Sequence, residues 1–281
     1  MIAHVAEASE LSGRVVLWLN PETRCTPAVL DAPMRLAAAY DAEIETIVVD
    51  QSADESGDVP FRRIGDIGLP DIPSIEHRFQ LLAQRCRRVV EDASRSHKVK
   101  VRHALAQGDA VDRISEMCLE RGPWNIVALT GIPALGGQSV VNSLLANVSG
   151  ATGFLLCGAQ PTRSKAGVVV IVEDGERLPS MLRAAERLSM PGAAVHLVIG
   201  AETSGEHAEL DYQARLLTAE ASAVSFAPTG PTFGVPGALT EIVARMKPSF
   251  VVARFGGAAF SDGRELSRAS AAIQAPILLV R

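Results

Sequence analysis

Residues 127–150 read VALTGIPALGGQSVVNSLLANVSG. A short apolar strand runs into three glycines, Gly131, Gly136 and Gly137, and then into a stretch with helical spacing. That order is the layout of a phosphate-binding turn, in which backbone N–H groups at the start of a helix meet negative charge.

Outward from the turn the same alternation continues. IVALT (126–130) and FLLCG (154–158) flank it as strands. Upstream, VVLWL (15–19) is a continuous apolar run, as expected of a strand buried on both faces. Thr26-Pro27 has the form of a helix start, with Pro at the first helical position and a helix predicted to about Tyr40, kinked at Pro33. IETIVVD (44–50) is the next strand, and 51–73, rich in Gly, Pro and Asp, a long loop. In the helix predicted over 74–96, Phe79, Leu82, Cys86, Val89 and Ala93 recur at steps of three and four and form one buried stripe. Arg78, Arg85, Arg87 and Arg88 lie on its polar, solvated face. KVKVRHAL (98–105) is a strand, and Asp109 is positioned to cap the helix after it.

After the polar connector AQPTRSKA (159–166) the pattern begins again. Strands are predicted at 168–172, 194–200, 222–227, 250–254 and 276–281, with helices at 178–189, 205–220, 237–246 and 263–274 between them. The chain therefore reads as two tandem α/β domains, 1–160 and 161–281, each a five-stranded parallel, Rossmann-like sheet covered on both faces. A ligand site in such a sheet lies at the carboxyl ends of the strands, where the strand order reverses.

Composition excludes several classes. The 281 residues are 47% hydrophobic and 21% charged, with net charge −5 and no dominant basic patch, so nucleic acid is not an expected partner. No stretch reaches the length of a membrane helix, and MIAHVAEASELSGR has neither a basic start nor a long apolar core, so a cytoplasmic protein without a signal peptide is expected. Cys25, Cys86, Cys118 and Cys157 form no C-x-x-C pair and are expected to be reduced, packed thiols. No two of the six histidines have metal-ligand spacing.

The glycine turn fails as a P-loop. Gly131 and Gly136 have the spacing of G-x-x-x-x-G-K-[ST], but Gly137 and Gln138 follow in place of Lys and Ser/Thr. No serine lies in a G-x-S-x-G elbow, and no carboxylate pair with a positioned base is discernible, so no enzyme activity is expected.

The tandem unit, the glycine turn after the fourth strand, the openings VVLWLNPET and VVVIVEDGER, Gly108-Asp109 and the final PILLV strand together resemble the universal stress protein family over nearly the whole chain. The resemblance implies strand order 3-2-1-4-5 in each unit. In some members it also implies bound ATP, held by an Asp after the first strand and by G-x2-G-x9-G-[ST] after the fourth. Carried onto this chain, those positions are Asn20, Val48, Gly131, Gly136, Gly137, Ala146 and Asn147. Asn20 replaces the Asp, and Ala146-Asn147 replaces the final Gly-[ST]. In the second unit the carboxylate position falls on Glu173 or Asp174, and no G-x9-G-[ST] follows FVVAR; that pocket is expected to be filled by its own side chains.

The resulting expectation is a non-enzymatic stress-linked regulator without a cofactor, acting by binding a protein partner or a small ligand. The alternative is an ATP-binding member, with slow hydrolysis or nucleotide-switched regulation through the first domain. FLLCG and PILLVR are expected to pair as an intramolecular pseudo-dimer, because edge strands so apolar need covering; association into a homodimer is left open.

Overall fold

The protein was analysed as a computed structural model, which describes residues 13–19, 24–50, 75–120, 124–130, 137–158, 160–221 and 223–281. Asn20, Gly131, Gly136 and the loop 51–73 lie outside the described residues.

The first half contains β1 (Arg14–Trp18), α1 (Pro27–Ala39), β2 (Glu43–Asp50), α2 (Ile75–His97), β3 (Val101–Gln107), α3 (Ala110–Glu120), β4 (Asn125–Leu129), α4 (Gly137–Asn147) and β5 (Gly153–Leu156). The second half contains β6 (Val168–Val172), α5 (Leu178–Leu188), β7 (Val195–Ile199), α6 (Ser204–Leu217), β8 (Val224–Phe226), α7 (Ala238–Met246), β9 (Phe250–Arg254), α8 (Gly263–Ile273) and β10 (Ile277–Val280), with a short 3-10 turn at Ala258–Phe260. Local sequence sets the boundaries. The Thr26 side chain caps α1 by accepting from the Val29 N–H, and Pro27 opens the helix. Pro33 lies inside α1, which runs on through it to Ala39. Asp109 caps α3 by accepting from the N–H groups of Val111 and Asp112 at 2.8 and 3.1 Å. β3 begins at Val101, three residues later than the sequence reading, because Lys98 turns into left-handed backbone (φ 56°) to end α2.

The ten strands of the described residues form one sheet, in the order β3-β2-β1-β4-β5-β10-β9-β6-β7-β8. The two five-stranded halves are joined by the expected pairing of their final strands, FLLCG and PILLVR. Each half keeps the order 3-2-1-4-5, but β5 and β10 pair antiparallel at the centre, with Leu156 opposite Ile277 and Gly153 opposite Val280. All other strand pairs are parallel.

The hydrophobic cores follow the faces of this sheet and not the halves. One layer joins α1, α2, α5 and α6 to residues such as Val15, Leu17, Val168 and Leu278. The other joins α3, α4, α7 and α8 to Val16, Trp18, Phe154 and Leu279. The strict alternation of neighbours such as Leu278 and Leu279 between the two layers is the period-two pleat of a strand buried on both sides. At the amino ends of the first-half strands, buried Arg14 donates to Asn125 at 3.1 Å, to Glu45 at 2.6 Å and to the Met117 carbonyl, tying β1, β2, β4 and α3 together.

The central joint has little tolerance. A β-carbon on Gly153 would lie 2.6 Å from the Leu279 carbonyl oxygen and 2.9 Å from Ile126 Cδ1. Gly153→Ala is expected to lower the unfolding free energy by about 1–3 kcal/mol, the usual cost of overpacking, read as a lower urea midpoint. An unchanged midpoint would show that the joint can relax.

Candidate functional site

The strand order reverses between β1 and β4 in the first half and between β6 and β9 in the second. The crevice rule for parallel sheets therefore assigns one candidate site to the carboxyl ends of each pair.

In the second half the crevice is formed by Glu173 and Asp174, directly after β6, and by Phe255–Ala259, directly after β9. The ladder is paired from Val168–Phe250 to Val170–Val252, and the strand ends beyond those rungs border the crevice. Glu173 enters here. Its carboxylate accepts from the Ala258 N–H at 2.5 Å and the Ala259 N–H at 3.3 Å. A β-carbon on Gly257 would collide with that carboxylate, so a side chain there would have to displace Glu173 from the turn. Asp174 is engaged as well. It accepts from the Arg177 N–H at 2.7 Å, opening the turn into α5, and pairs with Arg254 at 2.7 Å. Both residues on which the second unit's carboxylate position falls are thus held by the protein itself. The second-half turn thus carries a carboxylate of its own, while Ala258 and Ala259 also line a cavity of about 640 Å³ with Thr232, Phe233 and Glu265.

Burial raises the Glu173 carboxyl above the ordinary carboxylate range; the Ala258 and Ala259 N–H groups and Arg254 oppose that shift.

In the first half the structure places the sequence-derived residues as follows. Val48 lies in β2, is 5% exposed and belongs to the core layer beneath α1 and α2. It lines a cavity of about 300 Å³ with Leu19, Gln84, Arg87 and His103. Burial lowers the His103 pKa from its ordinary value, aided by Arg87 and opposed by Glu91. The ring nitrogen Nδ1 lies 2.8 Å from the Thr46 hydroxyl. Thr130, at the end of β4, is buried and donates to the Trp18 carbonyl at 3.0 Å, closing the first-half ladder from below. Gly137 opens α4, as a turn glycine should. Ala146 and Asn147 do not join it. They are exposed residues at the carboxyl end of the same eleven-residue helix. A rise of about 1.5 Å per residue sets them roughly 14 Å from its amino end. The counting that set them in the place of Gly-[ST] is therefore corrected: they stand at the far end of the helix from any anion that its amino end would meet. Asn20, Gly131 and Gly136 are outside the described residues, so the structure brings together only Val48 and the β1 end among the first-half set.

Sequence reasoning named Glu173 as a position but not its role. The signal was present in the pairing of an acidic residue after β6 with Gly256-Gly257-Ala258 after β9. Among the described residues no cluster of three or more His, Cys, Asp or Glu side chains is arranged to hold a metal ion. The four cysteines are free thiols, three of them buried, and Cys25 and Cys86 share a hydrogen bond.

No protein-family model matches the sequence, and no curated protein matches it. Solved structures do. A universal stress protein from Archaeoglobus fulgidus DSM 4304 superposes with a TM-score of 0.57 at 15% identity, over 95% of this chain and 96% of that chain. A protein of Pseudomonas aeruginosa UCBPP-PA14 assigned to the same family gives 0.56 at 13% identity, over 95% and 92% of the two chains. A functionally unknown protein of Pseudomonas aeruginosa PAO1 gives 0.55 at 13%, with the same coverage. The chain has the fold of the universal stress proteins. It carries both halves of that fold in one polypeptide, since the superposition spans nearly the whole of each chain.

The raised Glu173 pKa has a testable sign. The native state holds this proton better than the unfolded chain, so stability falls as pH rises from the ordinary carboxylate range through the native pKa. Glu173→Gln keeps an oxygen acceptor for Ala258 and Ala259 and removes the titration. Urea denaturation at stepped pH is expected to show a flatter profile for the variant. An identical slope in wild type and variant would remove Glu173 as the source.

Proposed function

We propose that this chain is a non-enzymatic regulatory protein of the universal stress protein type, acting in stress response through binding of a protein partner or small ligand and not through bound ATP. The observation that supports this most directly is the Glu173 carboxylate on the Ala258 and Ala259 amides. A nucleotide phosphate brought to that turn would meet a resident negative charge in a half-buried setting, where like-charge repulsion is weakly screened. In the first half the departures are chemical: there is no lysine after Gly136, Asn20 replaces the acidic residue after β1, and Ala146-Asn147 lies at the wrong end of α4. Losing two or three hydrogen bonds of about 1–3 kcal/mol each moves a micromolar ligand towards millimolar affinity.

The reading places the protein in the cytoplasm, where its four free thiols stay reduced. Among the described residues no helix is long and apolar enough to cross a membrane. The β5–β10 pairing takes the role of the dimer joint inside one chain, which leaves the outer surface of the sheet-and-helix body for partners.

One observation favours the alternative of ATP binding in the first half. The cavity beside Val48 and Leu19 adjoins the carboxyl ends of the first-half strands, with Gly137 opening α4 beyond β4. The two readings separate in one experiment. Purified protein is expected to carry no nucleotide in native mass spectrometry and to show no thermal shift with millimolar ATP–Mg. Saturation at about 100 times Kd would stabilise the fold by about 2.7 kcal/mol. A shift of that size, lost in Gly137→Val, would overturn the proposal in favour of the nucleotide-binding alternative.

A further inference from the structure

The antiparallel joint relates the two halves by an approximate dyad that exchanges α1 with α5 and β5 with β10. These two helices touch across the centre of one face. The dyad creates two equivalent recesses, one at each end of the helix pair, above the strand ends.

One recess is plugged. There the connector between the halves lays Thr162 between Asp31 and Arg35 of α1: the Thr162 N–H donates to Asp31 at 2.9 Å, and its hydroxyl bonds both side chains. The Arg35 guanidinium lies 5.3 Å above the Phe250 ring, and Arg163 donates to the Pro248 carbonyl at 3.3 Å.

The other recess is a cavity of about 420 Å³. Its floor is apolar and comes from both halves, with Ile126 of β4 and Leu278 of β10. One wall is aromatic: Tyr40 stacks on Trp124 at 4.8 Å between centroids, with 25° between the planes. The opposite rim is cationic. Arg183 and Arg187, one turn apart on α5, both line it, and among the described residues no acidic side chain does. Arg187 lies 4.8 Å over the Tyr40 ring. Neither arginine has an ion pair with a described residue, whereas Arg35 at the plugged end has Asp31 beside it. Burial raises the Tyr40 phenol above its ordinary value against the pull of both arginines, which marks this wall as poorly hydrated. Ser180 and Thr152, also on the lining, donate their hydroxyl protons to the Arg177 and Asn125 carbonyls.

We propose that this open recess binds a small aromatic carboxylate. The carboxylate pairs with the Arg183 and Arg187 guanidinium groups, and the ring lies on the Ile126–Leu278 floor beside the Tyr40–Trp124 stack. The charge follows from two guanidinium groups that have no acid partner at the rim among the described residues; guanidinium matches carboxylate in bidentate geometry. The ring follows from a floor and wall that offer apolar and aromatic surface in a space of drug-like volume. The site is independent of the strand-end crevices, since its first-half strand residues lie at the amino ends of β4 and β5.

The test is titration of the full chain with phenylacetate, followed by Trp124 emission and by isothermal calorimetry. The expected result is saturable binding. Benzyl alcohol, the same ring without the charge, and inorganic phosphate, the charge without the ring, are each expected to bind at least about tenfold more weakly. Arg183→Gln is expected to weaken phenylacetate by about tenfold, and Arg183→Gln with Arg187→Gln to abolish saturation. Far-UV circular dichroism and the urea midpoint establish that the variants fold. If the double variant does not fold, Arg183→Gln alone decides. The proposal is overturned if phenylacetate gives no saturable signal up to millimolar concentration, if phosphate binds as well as phenylacetate, or if folded Arg183→Gln binds like wild type. ATP is a separate titration, so failure here leaves the reading of the crevices untouched.

Discussion

The antiparallel pairing of β5 with β10 is the constraint on which the architecture depends. GFLL and ILLV are buried on both faces of the sheet, and each would be an apolar edge strand if its half stood alone. Exposed edges of this kind template aggregation. Here each covers the other, the sheet becomes continuous, and the two hydrophobic layers extend across both halves. Cooperation between the halves is therefore built into the packing and does not depend on a small interface between finished domains. The requirement for glycine at position 153 is the local expression of the same constraint, since the backbone of β10 passes where a side chain would stand.

Much of this was legible in the sequence. Continuous apolar runs such as VVLWL and VVVIV marked doubly covered parallel strands, and the repeat of strand and helix disclosed the tandem unit. Caps at Thr26 and Asp109 were readable because a side-chain oxygen before a helix has one obvious use. The pairing of FLLCG with PILLVR was legible from their apolar character, but its antiparallel sense was not, because a strand alternating between two layers reads the same whichever way its partner runs. Ala146 and Asn147 were misplaced for a related reason: counting residues from a glycine does not say how many of them a helix has already taken up. The buried Arg14–Glu45–Asn125 cluster was not foreseen either, since its members are far apart in sequence and only the register of three strands brings them together.

The two halves differ at their crevices. In the second, the side chain of Glu173 takes up the turn amides, and the glycine at 257 lies against that internal contact. The first has glycine at the start of α4 and a cavity beside Val48. A repeat that folds twice needs the same strands and helices twice, but nothing in the packing requires both crevices to stay open. Filling one with a carboxylate also explains how a loop of backbone amides remains satisfied without a ligand.

The antiparallel joint also sets direction. Because the strands of one half run opposite to those of the other, the two crevices face opposite ends of the sheet. Four strand spacings separate them sideways, about 19 Å at the usual distance between strands. One compact visitor cannot touch both. Any two molecules bound at these mouths would be held back to back, with the sheet between them.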